Sequence, residues 1–249
     1  MPKIIGKAGK STRELESRRN RRRIITLLIG IALILVLIFL SQRVPIWTKG
    51  TAAAIILPPL IIVAMKLLEA FGNKTEKHQR RRRNDAGRGA VGEEKVGEIL
   101  AALTEGYVVL HDVACPYGNI DHVVVGPNGV FAVETKSHAG RVKMADGKLL
   151  VNGELPEKDF IAQALRNALW LRYLLKEKLG LEIFVQAMVV FSRAFVESAP
   201  PVKRVTVTYA GRLSRLITQG KSKAIPVERV AAALGESRAG EKTKVEKIS

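Results

Sequence analysis

Apolar residues fall into three rhythms along the chain. The first is the long unbroken run. Ile24 to Leu40 is apolar apart from Thr26 and Gly30, close to the length that spans a bilayer. Thr51 to Leu68 is a second such run, interrupted by Pro58-Pro59 and by Lys66 near its end. A lysine there can snorkel to the interface, and prolines are tolerated in membrane helices. The second rhythm is helical. Val96, Ile99, Leu100 and Leu103 recur at helix spacing and predict an amphipathic helix from about Gly92, and Glu157 to Leu179 carries a longer helical pattern. The third is the rhythm of strands. Val123 to Val125 and Val130 to Val133 flank Gly126-Pro127-Asn128-Gly129, which predicts a β-hairpin. Val142 to Val151 predicts a further ribbon turning at Asp146-Gly147. Strands at Phe184 to Phe191 and Arg204 to Tyr209 follow, then short helices at Arg212 to Thr218 and Val227 to Leu234.

The hairpin carries the candidate chemistry. If Gly126 to Gly129 form a four-residue turn, Val125 faces Val130 and Asp121 faces Glu134. If Asn128-Gly129 turns alone, Asp121 faces Lys136. Either register keeps Asp121, Glu134 and Lys136 on one face, because side chains alternate with period two. Both faces are otherwise apolar, as in central strands buried on both sides. Two carboxylates and an ammonium at the end of such a pair are costly unless they bind something, or unless they form a structural ion pair. Hard oxygen donors suit Mg²⁺ or Mn²⁺, which keep several waters and bind a substrate phosphate. That chemistry is metal-assisted phosphodiester hydrolysis. A lysine two residues beyond a ligand can orient or deprotonate the attacking water, or offset charge developing on the phosphoryl oxygens. Glu93 sits in the first turn of the expected helix, where a carboxylate also suits the helix dipole. Gln163 and Asn167 are i and i+4 on the long helix, placed either for packing or to orient a carboxylate, water or phosphate.

Gly92-Glu93, Asn119-Ile120-Asp121-His122, Gly129-Val130-Phe131, Glu134-Thr135-Lys136 and Gln163 with Asn167-Ala168 together resemble the nuclease-related domain, NERD. That family lies within the PD-(D/E)xK, restriction-endonuclease-like superfamily. The resemblance implies an α/β fold with a central mixed β-sheet flanked by helices, here preceded by two transmembrane helices. It implies that Asp121 and Glu134 are metal ligands and Lys136 the catalytic lysine. Glu93 becomes a helix-borne acidic residue supporting the metal, and Gln163 an accessory polar group.

Charge separates the two halves. Residues 1–88 hold 19 Lys/Arg against 5 Asp/Glu, most of the formal +18, while the remainder is only mildly basic. Nucleic-acid binding is allowed by this charge and not demanded. Arg18 to Arg23 and Arg80 to Arg83 bracket the apolar runs, and the loop between them holds only Arg43 and Lys49. The positive-inside rule then places both termini in the cytoplasm and favours two spans over a re-entrant second segment. Ser41-Gln42-Arg43-Val44 offers no signal-peptidase site, so a retained anchor is expected.

The expected organisation is a basic segment 1–23, a transmembrane hairpin 24–68 with spans near 24–41 and 51–68, and a basic linker 69–88 beside anionic lipid. A nuclease-like domain 89–193 follows, then completing elements 194–238 and a polar disordered tail 239–249. The lone Cys115 permits no intramolecular disulfide and agrees with a reducing compartment. Its spacing from His111 and His122 matches no standard zinc site. Two spans without a buried acidic residue or polar pathway also argue against a transporter or channel component. The expected function is a membrane-anchored, Mg²⁺- or Mn²⁺-dependent nuclease on DNA or RNA. The alternative is a binding or scaffolding module that keeps the fold, although such a module is expected to have lost one of Asp121, Glu134 or Lys136.

Overall fold

A computed structural model describes residues 1–14, 85–197, 201–220 and 224–246, with helical positions 17, 21, 24, 25, 28, 29, 31 and 32. Most of the expected transmembrane hairpin and of the linker 69–88 lies outside the described residues. Among those described, no helix is long and apolar enough to cross a membrane. Residues 1–12 and 88–249 form one compact unit and 13–87 another.

The larger unit is a seven-stranded mixed sheet between two layers of helices. Its order is β1 (Lys3–Ile5), β2 (Val108–Cys115), β3 (Gly118–Gly126), β4 (Gly129–Ala145), β6 (Val185–Val196) and β7 (Val205–Tyr209), with β5 (Lys148–Val151) paired to β4. Strands β2, β3 and β4 form an antiparallel meander, whereas β1, β6 and β7 run parallel to their neighbours. Helix α1 begins at residue 10, and α2 occupies 85–101. Then come α3 (Phe160–Leu179), α4 (Ala210–Thr218) and α5 (Val227–Glu246). The α/β core with flanking helices fits the restriction-endonuclease-like architecture.

Each sheet face has its own core. Val123, Val125, Val130, Val189 and Phe191 pack with Leu171 and Leu175 of α3 and Val230 and Leu234 of α5. Val109, Val124, Phe131, Val133 and Val190 pack with Val96 and Leu100 of α2 and Leu213 and Ile217 of α4. Apolar burial on both faces makes β3 and β4 the central strands that the sequence predicts. Val125 pairs with Val130 and Gly126 with Gly129, so of the two registers the four-residue turn is the one adopted. The ribbon turns at Asp146-Gly147 as expected, with Ala145 opposite Lys148.

Three elements differ from the sequence expectation. Helix α2 is already formed at residue 85, well before Gly92. Gly92 suits an α-helix there because a Cβ would lie 2.7 Å from the Ser192 hydroxyl oxygen, so its missing side chain lets α2 approach β6. Residues 1–12, expected to belong to a basic N-terminal segment, place β1 on the sheet. Helix α5 runs to Glu246, past the point where the polar tail was expected to begin.

Candidate active site

The β3–β4 ladder ends at His122 opposite Val133. Beyond it the strands continue without pairing, and the next positions are Asp121 and Glu134. Asp121 partly replaces the missing ladder: its Oδ2 accepts from the Thr135 backbone N–H at 2.6 Å. On the other side of β3, the β2 register also skips the Asp112–Asp121 step. Asp112 has φ 59°, a left-handed conformation that aspartate tolerates better than most residues. The alternation slips at this level in both strands. Val108 and Leu110 share a core with Val113 and Cys115, and Ile120 shares it with Val123. The distortion is local to the acidic positions.

Glu134 is the hub. Its Oε1 accepts from Lys136 Nζ at 2.7 Å and from Gln163 Nε2 at 2.6 Å, and its Oε2 accepts from Asn167 Nδ2 at 3.1 Å. Lys136 also donates to Gln163 Oε1 at 3.1 Å and lies 4.7 Å from the centre of the Phe160 ring. Helix α3 therefore aims both amides at one carboxylate, as the i, i+4 spacing predicts. The helix is fixed at its start by Asp159, whose side chain accepts from Ala162 N–H, and at its end by Gly180 in the left-handed conformation.

Glu93, on α2, is buried, and its Oε1 accepts from the Thr12 hydroxyl at 2.9 Å. Burial pushes its pKa up to about 7. The Thr12 hydrogen bond opposes that rise, and the charges of Asp112 and Glu134 add to it. Asp121 is also held well above the ordinary carboxylate range, first by burial and then by repulsion from Glu134 and Glu93. These couplings place Glu93, Asp121, Glu134 and Lys136 in one electrostatic cluster. All five residues singled out in the sequence occupy this region.

Three carboxylates face one lysine here, a balance that a divalent cation would correct. Among the described residues, no three acidic, imidazole or thiol side chains gather closely enough to hold a cation by themselves. The donor set instead fits a hard ion that keeps waters and substrate oxygens in its shell.

His111 and His122 lie outside this network. Their Nδ1 atoms are 2.7 Å apart across β2 and β3, and His122 is fully buried. Burial, then the neighbouring His111, pushes the His122 pKa down to about 3, so the ring is neutral at physiological pH. Cys115 lies in the α3-side core with its sulfur 4.0 Å from Asn167 Oδ1. Sequence reasoning missed Thr12 and Asp112, whose bonds to Glu93 and Ser11 span 81 and 101 positions. No local pattern announces them.

A mixed sheet with an acidic, lysine-bearing end between flanking helices fits a restriction-endonuclease-like core. In agreement, residues 88–192 match the family model described as nuclease-related domain. The match supports the family resemblance over that span, which is less than half of the chain. No curated protein and no solved structure matches.

Proposed function

We propose that the chain is a membrane-anchored, divalent-metal-dependent nuclease that hydrolyses phosphodiester bonds of DNA or RNA at the cytoplasmic face. The observation carrying this reading is the placement of Lys136 Nζ, 2.7 Å from Glu134 and 3.1 Å from Gln163, beside the raised-pKa carboxylates of Asp121 and Glu93. Asp121 and Glu134 would hold Mg²⁺ or Mn²⁺, with Glu93 behind them. When bound, such an ion supplies positive charge at the phosphoryl oxygens and acidifies water. Lys136 orients the attacking water and offsets charge on the scissile phosphate. Gln163 and Asn167 fix the Glu134 carboxylate, and the Phe160 ring limits where the ammonium can sit.

Anchoring draws support from one observation, and the number of spans from a second. Ile24, Ile25, Leu28, Ile29 and Ile31 are helical and about half exposed, an apolar surface suited to lipid. In addition, β1 precedes residues 13–87 and the other strands follow them. One hydrogen-bonded sheet lies on one side of a bilayer, so any crossing by the stretch between occurs an even number of times. That parity favours two spans over one, and the arginine clusters then select the cytoplasm. The test is the full-length chain in lipid nanodiscs with a mixed DNA and RNA panel. Cleavage that needs Mg²⁺ or Mn²⁺ and stops with chelator is expected. Binding without cleavage under every metal would leave a nucleic-acid-binding module instead.

A further inference from the structure

The family match begins at residue 88, yet the folded unit begins with the first residues of the chain. Lys3 to Ile5 pair with Val108 to Leu110 of β2, and the Lys3 N–H donates to the Tyr107 carbonyl at 3.0 Å. Ala8 packs so closely on α2 that a Cβ at Gly97 would lie 2.8 Å from its own Cβ. Gly9, at φ 70°, turns the chain beside Ala90 and delivers it to α1. The first turn of α1 is fastened at once. Ser11 donates its backbone N–H to Asp112 Oδ2 at 2.7 Å and its hydroxyl to Asp112 Oδ1 at 2.6 Å. Asp112 also accepts from Asn119 Nδ2 at 3.2 Å. Its left-handed backbone is thus held from two sides. The next residue, Thr12, donates to Glu93.

This chain of contacts has a direction. Pairing of β1 fixes the start of the segment, Asp112 fixes the start of α1, and the fixed helix presents one hydroxyl to one acidic site residue. A hydroxyl bonded to a buried carboxylate favours its ionised form and restricts its rotamer. A carboxylate supporting a metal needs both.

We infer that residues 1–12 are an integral part of the catalytic unit and that Thr12 is a positioning residue, acting on the metal site through Glu93. The inference rests on the nuclease reading for its consequence and on the Thr12–Glu93 and Ser11–Asp112 bonds for its geometry. It makes the segment that precedes the first apolar run a working part of a site otherwise built from residues 93–167.

The test uses the full-length chain and Mn²⁺ as probe, comparing wild type with Thr12→Val and Thr12→Ser. Valine keeps the β-branched shape and removes the donor, while serine keeps the donor. Outer-shell partners of metal ligands typically contribute about 10–100-fold in affinity. Thr12 acts one step further out, through Glu93, so Thr12→Val should raise the half-saturating Mn²⁺ concentration by the low end of that range, about tenfold, in a binding titration. Thr12→Ser should stay within about twofold, and metal-free melting should change little in both. Equal Mn²⁺ affinity for valine and wild type overturns the inference while leaving the nuclease reading intact. Equal loss in valine and serine reduces Thr12 to packing and overturns it also. A wild type that neither binds Mn²⁺ nor cleaves any nucleic acid sinks the functional reading first, and the role of Thr12 with it.

Discussion

The two ends of the β3–β4 hairpin share a backbone and differ in almost everything else. At the turn end, Val123, Val124, Val125 and Val130 are buried to 1% exposure or less, alternating between the two cores. The turn is tied down by Asn128, which donates to the Thr218 and Gly220 carbonyls and accepts from the Tyr107 hydroxyl. Each such valine contributes roughly 1.5–3 kcal/mol through burial. At the open end the ladder stops and the same strands present Asp121, Glu134 and Lys136. Burying those charges costs several kcal/mol each before pairing is counted. The apolar end stabilises the fold, and the polar end is tolerated because the rest of the sheet supports it. Such a division is expected where a site holds groups selected for chemistry rather than for stability.

The sharpest way to break this comparison is to neutralise the two carboxylates separately. Asp121→Asn and Glu134→Gln should each lower cleavage by about a thousandfold or more, the upper part of the range of a single acid–base group, because metal is lost as well. Their melting temperatures should diverge. Asp121 is repelled by Glu134 and Glu93, so Asp121→Asn should leave the metal-free chain as stable as wild type or more so. Glu134 holds Lys136 at 2.7 Å, with both side chains largely buried, so Glu134→Gln strands the ammonium and should lower stability. Thermal melts with chelator and cleavage assays with Mn²⁺ read the two effects apart.

At the turn end the pattern should invert. Val124→Ala should cost roughly 1–3 kcal/mol in denaturant unfolding, with turnover per folded molecule unchanged. A large loss of turnover at constant stability would show that the two ends are not functionally distinct.

A smaller effect is the pH dependence of metal-free stability. The Glu93 pKa rises on folding from 4.5 to about 7, so the folded state holds a proton that the unfolded chain has released. That contribution is full below about pH 4.5 and is lost as pH rises through about 7. His122 acts oppositely. Its pKa falls from 6.5 to about 3, so its contribution is present above about 6.5 and lost as pH drops toward 3. Urea midpoints across pH 4 to 8 should therefore fall on both sides of an intermediate maximum. Glu93→Gln should reduce the alkaline decline, with the raised Asp121 carboxyl supplying the remainder, and saturating Mn²⁺ should mask it.

Much of this site is legible in the residues, because local rules write it. Gly126-Pro127-Asn128-Gly129 defines the turn and fixes the ladder from Val125 and Val130 to His122 and Val133, one step short of Asp121 and Glu134, where pairing stops. Helix spacing puts Gln163 and Asn167 together on Glu134. What escaped has no periodic signature. Lys3-Ile4-Ile5 is too short to alternate and pairs with residues more than a hundred positions away. Gly87, Gly89 and Gly92 look like helix breakers, yet α2 runs through them, with Gly92 chosen by the approach of Ser192. Asp112 reads as one polar residue in an apolar run, and only the folded chain shows it fastening α1. The bilayer hairpin and the metal remain expectations of sequence and chemistry, with their own tests.

In the proposed metal-dependent hydrolysis at the open end of the hairpin, Lys136 acts on the reaction rather than on the fold. Paired measurement of Mn²⁺ affinity and single-turnover cleavage in full-length Lys136→Ala tests it most directly. Mn²⁺ binding should stay within a few-fold of wild type while the cleavage rate falls by about two to four powers of ten, the range of a positioned acid–base group. Unchanged cleavage, or loss of metal binding and folding together, would contradict it and return Glu134–Lys136 to the status of a structural ion pair.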